Sequence, residues 1–318
     1  MSLSIHVEDF LSRNYPKKRG PLLLGLSGGA DSKALLYALL DCGIQPHLAH
    51  IDHGWRGESK KEADLLLEEA KSLGLVFHTK KLVTVEKRNL EAICREERLT
   101  FFYELFCQYK YDALLLAHQK NDLLETVLKR ILEGAHIFQL FGMTEVSWYK
   151  DMPLFRPLLG IYKEEIYKYL EDKKVSYFQD STNEDISFLR GRMRKNILPQ
   201  LQMEFGKGIE ENLYQLSCRS LELSSYLEQR VQLYLDNVVV GSWGKSLSFN
   251  GLHQIEARYL VRKFLGFDLP RKALEQILQW LKENAKDKEI LRKEGAIRID
   301  NKILFLLKNQ KVADMVKR

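Results

Sequence analysis

Apolar runs and amphipathic stretches alternate through the first half of the chain. PLLLGL (21–26) is a continuous apolar run of strand length, and from about Asp31 to Cys42 apolar residues recur at helical spacing. The pair then repeats. QPHLAHI (45–51) reads as a strand, and a helix with Glu and Lys on its wet side covers about Glu58 to Leu73. LVFHTKKL (75–82) is a third strand, followed by a long helix over about Asn89 to Gln108. DALLLAH (112–118) is a fourth, followed by a helix over 121–134 that Gly134 ends. This order predicts an α/β fold, a parallel sheet with helices on both faces. Right-handed crossovers put every strand-to-helix loop at one edge of the sheet, where ligands bind at the reversal of strand order.

The rhythm changes after about residue 160. YKEEIYKYLEDKK is an amphipathic helix and VSYFQDSTNED a loop. Helical stretches at 211–236, 252–265 and 271–284 precede GAIRIDNKILFLL, where two alternating apolar runs flank DNK and predict a hairpin. The shift at 205–210, around EFGKG, predicts two domains: a nucleotide-binding domain over 1–207 and a mainly helical one over 208–318.

Composition narrows this only a little. The 318 residues are 45 % hydrophobic and 29 % charged, as in ordinary globular domains. No apolar run is long enough to span a membrane, and the N-terminal stretch lacks the apolar core of a secretion signal, so a cytoplasmic protein is expected. Cys42, Cys94, Cys107 and Cys218 form no C-x-x-C pair and read as buried, inert thiols in a reducing compartment. The net charge of +6 is mild but uneven. Residues 187–203 contain no acid, yet hold Arg190, Arg192, Arg194 and Lys195, and Lys17, Lys18 and Arg19 form a second basic cluster. Such runs are usually solvated faces, but they permit a polyanionic partner.

Candidate chemistry begins between the first strand and its helix, in LLLGLSGGADSKALL (22–36). Glycines let the backbone approach an anion, and a helix N-terminus offers free amides. Ser27, Gly28, Gly29, Ala30, Asp31 and Ser32 therefore read as a phosphate cradle. The lysine stands after Ser32, not before it, so the Walker order is absent, as is G-x-G-x-x-G. A bare strand-to-helix turn capped by Asp31 or Ser32 is the plainer alternative.

The string S-G-G-x-D-S resembles the loop of the N-type ATP pyrophosphatases. The resemblance implies ATP cleaved between its α and β phosphates, with pyrophosphate held by the loop and Mg²⁺ by Asp31. AHIDHGWRGES (49–59) is similar to the H-V-D-H-G-L-R segment of the tRNA(Ile)-lysidine synthases, whose strand end lines the adenine pocket and so implicates His50 and Ile51. A metal role for His50, Asp52 and His53 is the weaker reading of that stretch. LLLAHQKNDLLETVLKRILEG (114–134) resembles the family's H-x-x-D-D-x-x-E-T, with Asn121 in place of the first acid. RPLLGIYKEEIYKYL (156–170) resembles its R-P-L-L segment. DSTNEDISFLRGRMRKNILPQL (180–201) resembles D-x-S-N-x-D-x-x-x-x-R-N-x-[IL]-R, with Gly191 where asparagine is usual. The four motifs cover residues 1 to about 205; the remainder is similar in architecture alone.

Asp122 and Glu125, three apart, share one helix face. They would hold free L-lysine, or else merely suit the helix dipole, with Glu125 paired to Lys129. The resemblance implies a ligase that adenylylates carbon 2 oxygen of the wobble cytidine of a CAU-anticodon isoleucine tRNA and lets lysine displace AMP. His118 and Asp122 are candidates for taking the amine's proton, and Arg190 for neutralising the α-phosphate. Arg190 and Arg194 would also grip the anticodon loop, with the 208–318 domain binding the tRNA body. A homodimer is compatible with this reading. A tRNA thiolase of the same superfamily is the alternative, weakened by the scattered cysteines.

Overall fold

Leu23 and Leu24, neighbours in the first strand, are both fully buried and point into different cores. Strand side chains alternate between faces, so helices must cover the sheet on both sides. On the Leu24 side lie Val7 and Phe10 of α1 (Leu3–Asn14) and Leu35 and Leu39 of α2 (Ala30–Asp41). On the Leu23 side lie Phe101, Phe102 and Leu105 of α4 (Leu90–Tyr109). Each such side chain contributes about 1.5–3 kcal/mol by leaving water, and Leu24→Ala would cost about 2–5 kcal/mol.

This computed structural model describes residues 2–15, 20–52, 59–81, 90–178, 189–206 and 208–308. The 17–19 cluster, His53 and residues 180–188 of the fourth motif lie outside them. The strands are β1 (Leu23–Gly25), β2 (His47–Asp52), β3 (Phe77–Lys81), β4 (Leu114–Leu115), β5 (Val146–Tyr149) and β6 (Met152–Phe155). They form one sheet in the order β3-β2-β1-β4-β6-β5, parallel except for β5. Helices α3 (Ser59–Ser72) and α5 (Lys120–Leu132) complete the connections between its strands, and α6 (Lys163–Asp172) follows the last strand and packs into the Leu24-side core. The α/β fold with its parallel sheet is as the sequence pattern predicts.

Two parts differ. The fourth strand is shorter than expected, because the chain leaves the ladder after Leu115 to form the loop ahead of α5. The β5–β6 hairpin was not anticipated. VSWYKDMPLF carries Pro153, which reads against a strand. Only Leu154 and Phe155 pair with β4, so Pro153 removes no bond from that ladder.

The chain divides into two compact units, residues 1–218 and 219–318. The first also holds α7 (Leu189–Arg192), which runs through a π turn at Met193–Ile197 into α8 (Leu198–Phe205). Helix α9 (Ile209–Leu235) crosses the division, whereas Gly206 ends α8 near the sequence-based boundary. The second unit holds α10 (Gln254–Leu265), α11 (Arg271–Lys282) and a five-stranded antiparallel sheet. Its order is β7 (Val239–Gly241), β8 (Gly244–Ser248), β11 (Ile303–Leu307), β10 (Gly295–Asp300) and β9 (Lys288–Arg292). The predicted hairpin is β10–β11, turned by Asn301 and Lys302 at φ 48° and 64°. The sheet adds a second layer to the mainly helical expectation. Cys94 is buried but Cys107 is exposed, so the cysteines do not share the packed setting expected of them. Among the described residues, no helix is long and apolar enough to cross a membrane.

Candidate active site

Strand β1 lies between β2 and β4, so the strand order reverses at β1 and opens a crevice beyond the carboxyl ends of β1 and β4. The loop after β1 is the 27–32 cradle, and the loop after β4 leads into α5. These are the two segments that carry the sequence candidates.

The cradle is organised by Ser32. Its hydroxyl donates to the Gly29 carbonyl at 3.0 Å and accepts from the amides of Ser27 and Gly28 at 3.2 and 3.1 Å. The Gly29 amide donates to Ser27 Oγ at 3.3 Å, and the two serine hydroxyls lie 3.1 Å apart. Both serines thus hold the loop's shape. Gly28 sits at φ +83°, and a Cβ there would come within 2.4 Å of the Phe178 ring. The Phe178 amide donates to the Gly28 carbonyl at 2.9 Å and pins the chain at residue 178 to the cradle through an isolated bridge with Gly29. The N-cap of α2 is Gly29, which has no side chain to offer the first-turn amides. Those amides lack intrahelical partners and fit a phosphate. Lys33 points elsewhere, into an ion pair with Glu69 of α3.

Asp31 stands in the first turn of α2. Its Oδ1 is buried without a hydrogen-bond partner among the described residues. Burial pushes its carboxyl up to about 6, Lys163 and Arg194 pull it back, and Asp122 and Glu125 push it further. One orphaned carboxylate oxygen beside a phosphate cradle fits Mg²⁺, which commonly combines one or two carboxylates with substrate phosphates. Among the described residues no three acids, histidines or cysteines converge into a ready metal cage. The metal reading of His50, Asp52 and His53 includes His53, which lies outside the described residues.

Opposite the cradle, α5 opens with a capping box. Gln119 accepts from the Asn121 amide at 2.6 Å, and Asp122 Oδ2 accepts from the Gln119 amide at 3.2 Å. Asp122 Oδ1 and Glu125 face Arg194, whose Nε lies 2.7 Å from Glu125 Oε1 and whose Nη2 lies 3.4 Å from Asp122 Oδ1. Glu125 therefore pairs with Arg194, while Lys129 pairs with Glu133. Arg194 occupies the π turn. Pro199 has no amide to give the Lys195 carbonyl, and the widened turn ahead of it absorbs that gap. Asn121, the departure from the acid pattern, accepts from the Lys163 amide at 3.2 Å and so ties α5 to α6. Gly191, the second departure, is buried.

His118 follows β4 and its Nδ1 is buried without a partner among the described residues. Burial, then the charges of Arg156, Arg98, Arg95 and Arg190, hold its imidazole down at about 3, so it is neutral near pH 7. It is thus a hydrogen-bonding group and a weak proton acceptor. Arg156, from the R-P-L-L segment, is buried and donates to the Thr144 carbonyl and Ser147 Oγ at 2.9 and 2.8 Å. His50 Nδ1 donates to the Leu26 carbonyl at 2.9 Å, and burial lowers its basicity. That bond leaves Nε2 as the acceptor nitrogen. His50 and Ile51 are both buried near the carboxyl end of β2. Arg190 is exposed on α7, close enough to act on Glu125 and His118. Lys163 and Arg156 were missed as site residues. Their signal was present in the RPLLGIYKEE stretch, which puts a buried arginine and a helix-opening lysine next to the crevice.

The crevice therefore joins an anion-binding helix end to a cluster of Asp31, Asp122, Glu125, Lys163 and Arg194. Such a site can hold a nucleotide's phosphates on one side and a cation on the other.

Residues 3–201 match the PP-loop domain family. The chain is 41 % identical over 258 residues to the tRNA(Ile)-lysidine synthase of Protochlamydia amoebophila, an alignment covering 79 % of this chain and 56 % of that protein. It therefore spans little more than half of that relative's length. It is 44 % identical over 218 residues to the Chlamydia pneumoniae protein of the same name, covering 68 % of each. With the Chlamydia abortus protein it shares 34 % over 293 residues, covering 87 % of this chain and 92 % of that one. Among solved structures, the U34-tRNA thiolase NcsA of Methanococcus maripaludis superposes with a TM-score of 0.57 at 19 % identity, covering 69 % of this chain and 78 % of that one. At that identity the likeness is one of fold.

Proposed function

The chain belongs to the PP-loop domain family and, within it, to the tRNA(Ile)-lysidine synthases, and we propose that it joins L-lysine to carbon 2 of the wobble cytidine of a CAU-anticodon isoleucine tRNA. The carrying observation is the meeting of the cradle with the acid pair at one crevice. Of the charges acting most strongly on Asp31, two are positive, Lys163 and Arg194, and two are negative, Asp122 and Glu125. Asp122 and Glu125 share the guanidinium of Arg194 at 3.4 and 2.7 Å, and the weaker of the two contacts leaves Asp122 able to meet a cationic substrate.

In this reading ATP lies with its outer phosphates on the 27–32 cradle and the amides of the first turn of α2. The adenylyl group passes to the oxygen on carbon 2 of the cytidine as the bond between the α and β phosphates breaks, and pyrophosphate leaves. Bound Mg²⁺, held by Asp31, would offset charge on the phosphates. The lysine ε-amine then attacks carbon 2, and AMP departs with the oxygen. A base in an anticodon loop is reachable because it can be splayed from its stack.

Lysine arrives as an ammonium, its reference pKa being ~10.4, so protons must be accepted. We assign that task to Asp122. His118, neutral among arginines, instead offers its unpartnered Nδ1 to the substrate. Glu125 keeps Arg194 in place, and Asp122, at the longer 3.4 Å contact, is the acid open to the amine. Arg190 acts on the α-phosphate, and it and Arg194 neutralise nearby phosphates of the anticodon loop. His50 and Ile51 border the nucleobase of ATP. The second unit binds the tRNA body, and the enzyme works in the cytoplasm.

A thiolase reading gains nothing from the fold likeness to NcsA, which speaks of fold alone. The test is direct. Protein, radiolabelled ATP and isoleucine tRNA are incubated with and without lysine. Lysine-dependent AMP release supports the ligase, and AMP release that needs a sulfur donor instead contradicts it.

A further inference from the structure

Lys120 is the first residue of α5, two positions ahead of Asp122. Its side chain is buried, and its ammonium stands 4.2 Å from the ring centroid of Tyr162 and 4.0 Å from that of Tyr214. Glu211 closes the cage at 3.4 Å. A buried ammonium is costly unless compensated, and two ring faces with a carboxylate provide the compensation. Burial alone would lower its proton affinity. The contacts with Tyr162 and Glu211 outweigh it and raise the group above the usual lysine range, so it stays charged.

A cation in the first turn opposes the helix dipole. Lys120 is therefore poorly explained as a stabiliser of its own helix. The cage is built from other elements: Tyr162 is the residue before α6, and Glu211 and Tyr214 lie in the first turns of α9. The backbone is stitched at the same point. The Lys120 amide donates to the Ile161 carbonyl at 2.8 Å, and Asn121 Oδ1 accepts from the Lys163 amide at 3.2 Å. Leu213 of α9 also packs with Leu128 of α5, with Met193 of the π turn that carries Arg194 and with Leu198 just after that turn.

We propose that Lys120 is a positioning residue for the Asp122–Glu125 pair, a caged cation that sets the first turn of α5 against the first turns of α6 and α9. The acids, Lys163 and the Arg194 turn then keep their mutual placement only while the cage is filled. The proposal rests on the lysine-ligase reading for its kinetic consequence but not for its structural one.

The test uses the full chain with Lys120→Met and Lys120→Ala. Lys120→Met should raise the KM for lysine about tenfold and leave the KM for ATP within about twofold. In Lys120→Ala, n-propylammonium, which restores the missing methylenes and charge, should recover much of the lost rate while doing nothing for the unmodified protein. Amide hydrogen exchange gives the readout that needs no activity: exchange at Lys120 and Lys163 should quicken about tenfold in Lys120→Met, with β1 unchanged. An unchanged lysine KM, an equal rise in both KM values, or no rescue by propylammonium would overturn the proposal. Should the unmodified protein show no lysine-dependent AMP release, the ligase reading fails by itself, and exchange alone decides: faster at those amides supports the clamp, unchanged removes it.

Discussion

Arg194 Nε lies 2.7 Å from Glu125 Oε1, a carboxylate on a side chain only 3 % exposed. The two residues are 69 positions apart, and the pair joins the α5 acids to the basic segment. The acid is nearly removed from water, so its charge depends on that guanidinium. Burial raises the Glu125 carboxyl, and Arg194 pulls it back only in part.

Removing the arginine should therefore be costly. Breaking one side of a buried pair typically loses 3–5 kcal/mol, and because Arg194 is part exposed the loss here should be about 2–3 kcal/mol. Urea unfolding of Arg194→Ala measures it. Glu125→Gln in the same chain should return part of the loss, since no buried charge is then stranded. Equal stability of Arg194→Ala and the parent would refute the pairing.

Asp31 should show the opposite sign. Its folded carboxyl is pushed up to about 6 from the ordinary 3.8, chiefly by burial. A raised folded value gives stability that is complete below the unfolded value and disappears as pH rises through the folded one. At pH 7.5 the ionised carboxylate thus costs up to about 3 kcal/mol. Asp31→Asn should be the more stable protein at pH 7.5, the gap opening between about pH 4 and 6.5, while tRNA-dependent AMP formation is lost. A less stable variant, or one that still forms AMP normally, would contradict the role given to Asp31.

Gly28 combines a φ of +83° with a Phe178 ring where a Cβ would lie. Gly28→Ala should cost on the order of 1–3 kcal/mol and raise the KM for ATP. Adding Phe178→Ala should relieve the clash but not the backbone strain, so recovery of ATP affinity should be partial. Unchanged ATP kinetics in Gly28→Ala would show that the cradle's shape does not matter.

His118 should leave no mark on the pH profile near neutrality. Its imidazole is held at about 3 by burial and the surrounding arginines, so it is neutral throughout the working range. The profile of kcat/KM for His118→Gln should be lower but keep the parent's shape between pH 5.5 and 8, a range set by roughly two units about neutrality. Loss of a limb in that range would return His118 to the role of proton acceptor.

Much of this fold was legible because its signals are local. The apolar run at Leu22–Leu24, the glycine turn and the helical spacing after Asp31 lie next to one another, and each agrees with the next. The β5–β6 hairpin was hidden by Pro153, a poor strand residue tolerated because it sits beyond the β4 pairing. Strand β9 was hidden by its charges, which suit an exposed edge. At the crevice, Asp31, Asp122, Glu125 and Arg194 were readable from motif spacing. That Glu125 would pair with Arg194, and not with Lys129, was not: the π turn that aims Arg194 depends on a missing proline amide and on packing across the fold. The Lys120 cage was invisible for the same reason, since Tyr162 stands before α6 while Glu211 and Tyr214 come from α9.

The central claim is that the cation accepted at this crevice is free lysine and that it ends up covalently on the wobble base. Isoleucine tRNA incubated with the protein, ATP and isotope-labelled lysine, then digested to nucleosides and weighed by mass spectrometry, reads this directly. The account predicts a cytidine at the wobble position that has lost its carbon 2 oxygen and gained one labelled lysine, with one AMP formed per modified base. An unlabelled wobble cytidine, or a labelled lysine attached at any other position, would contradict it.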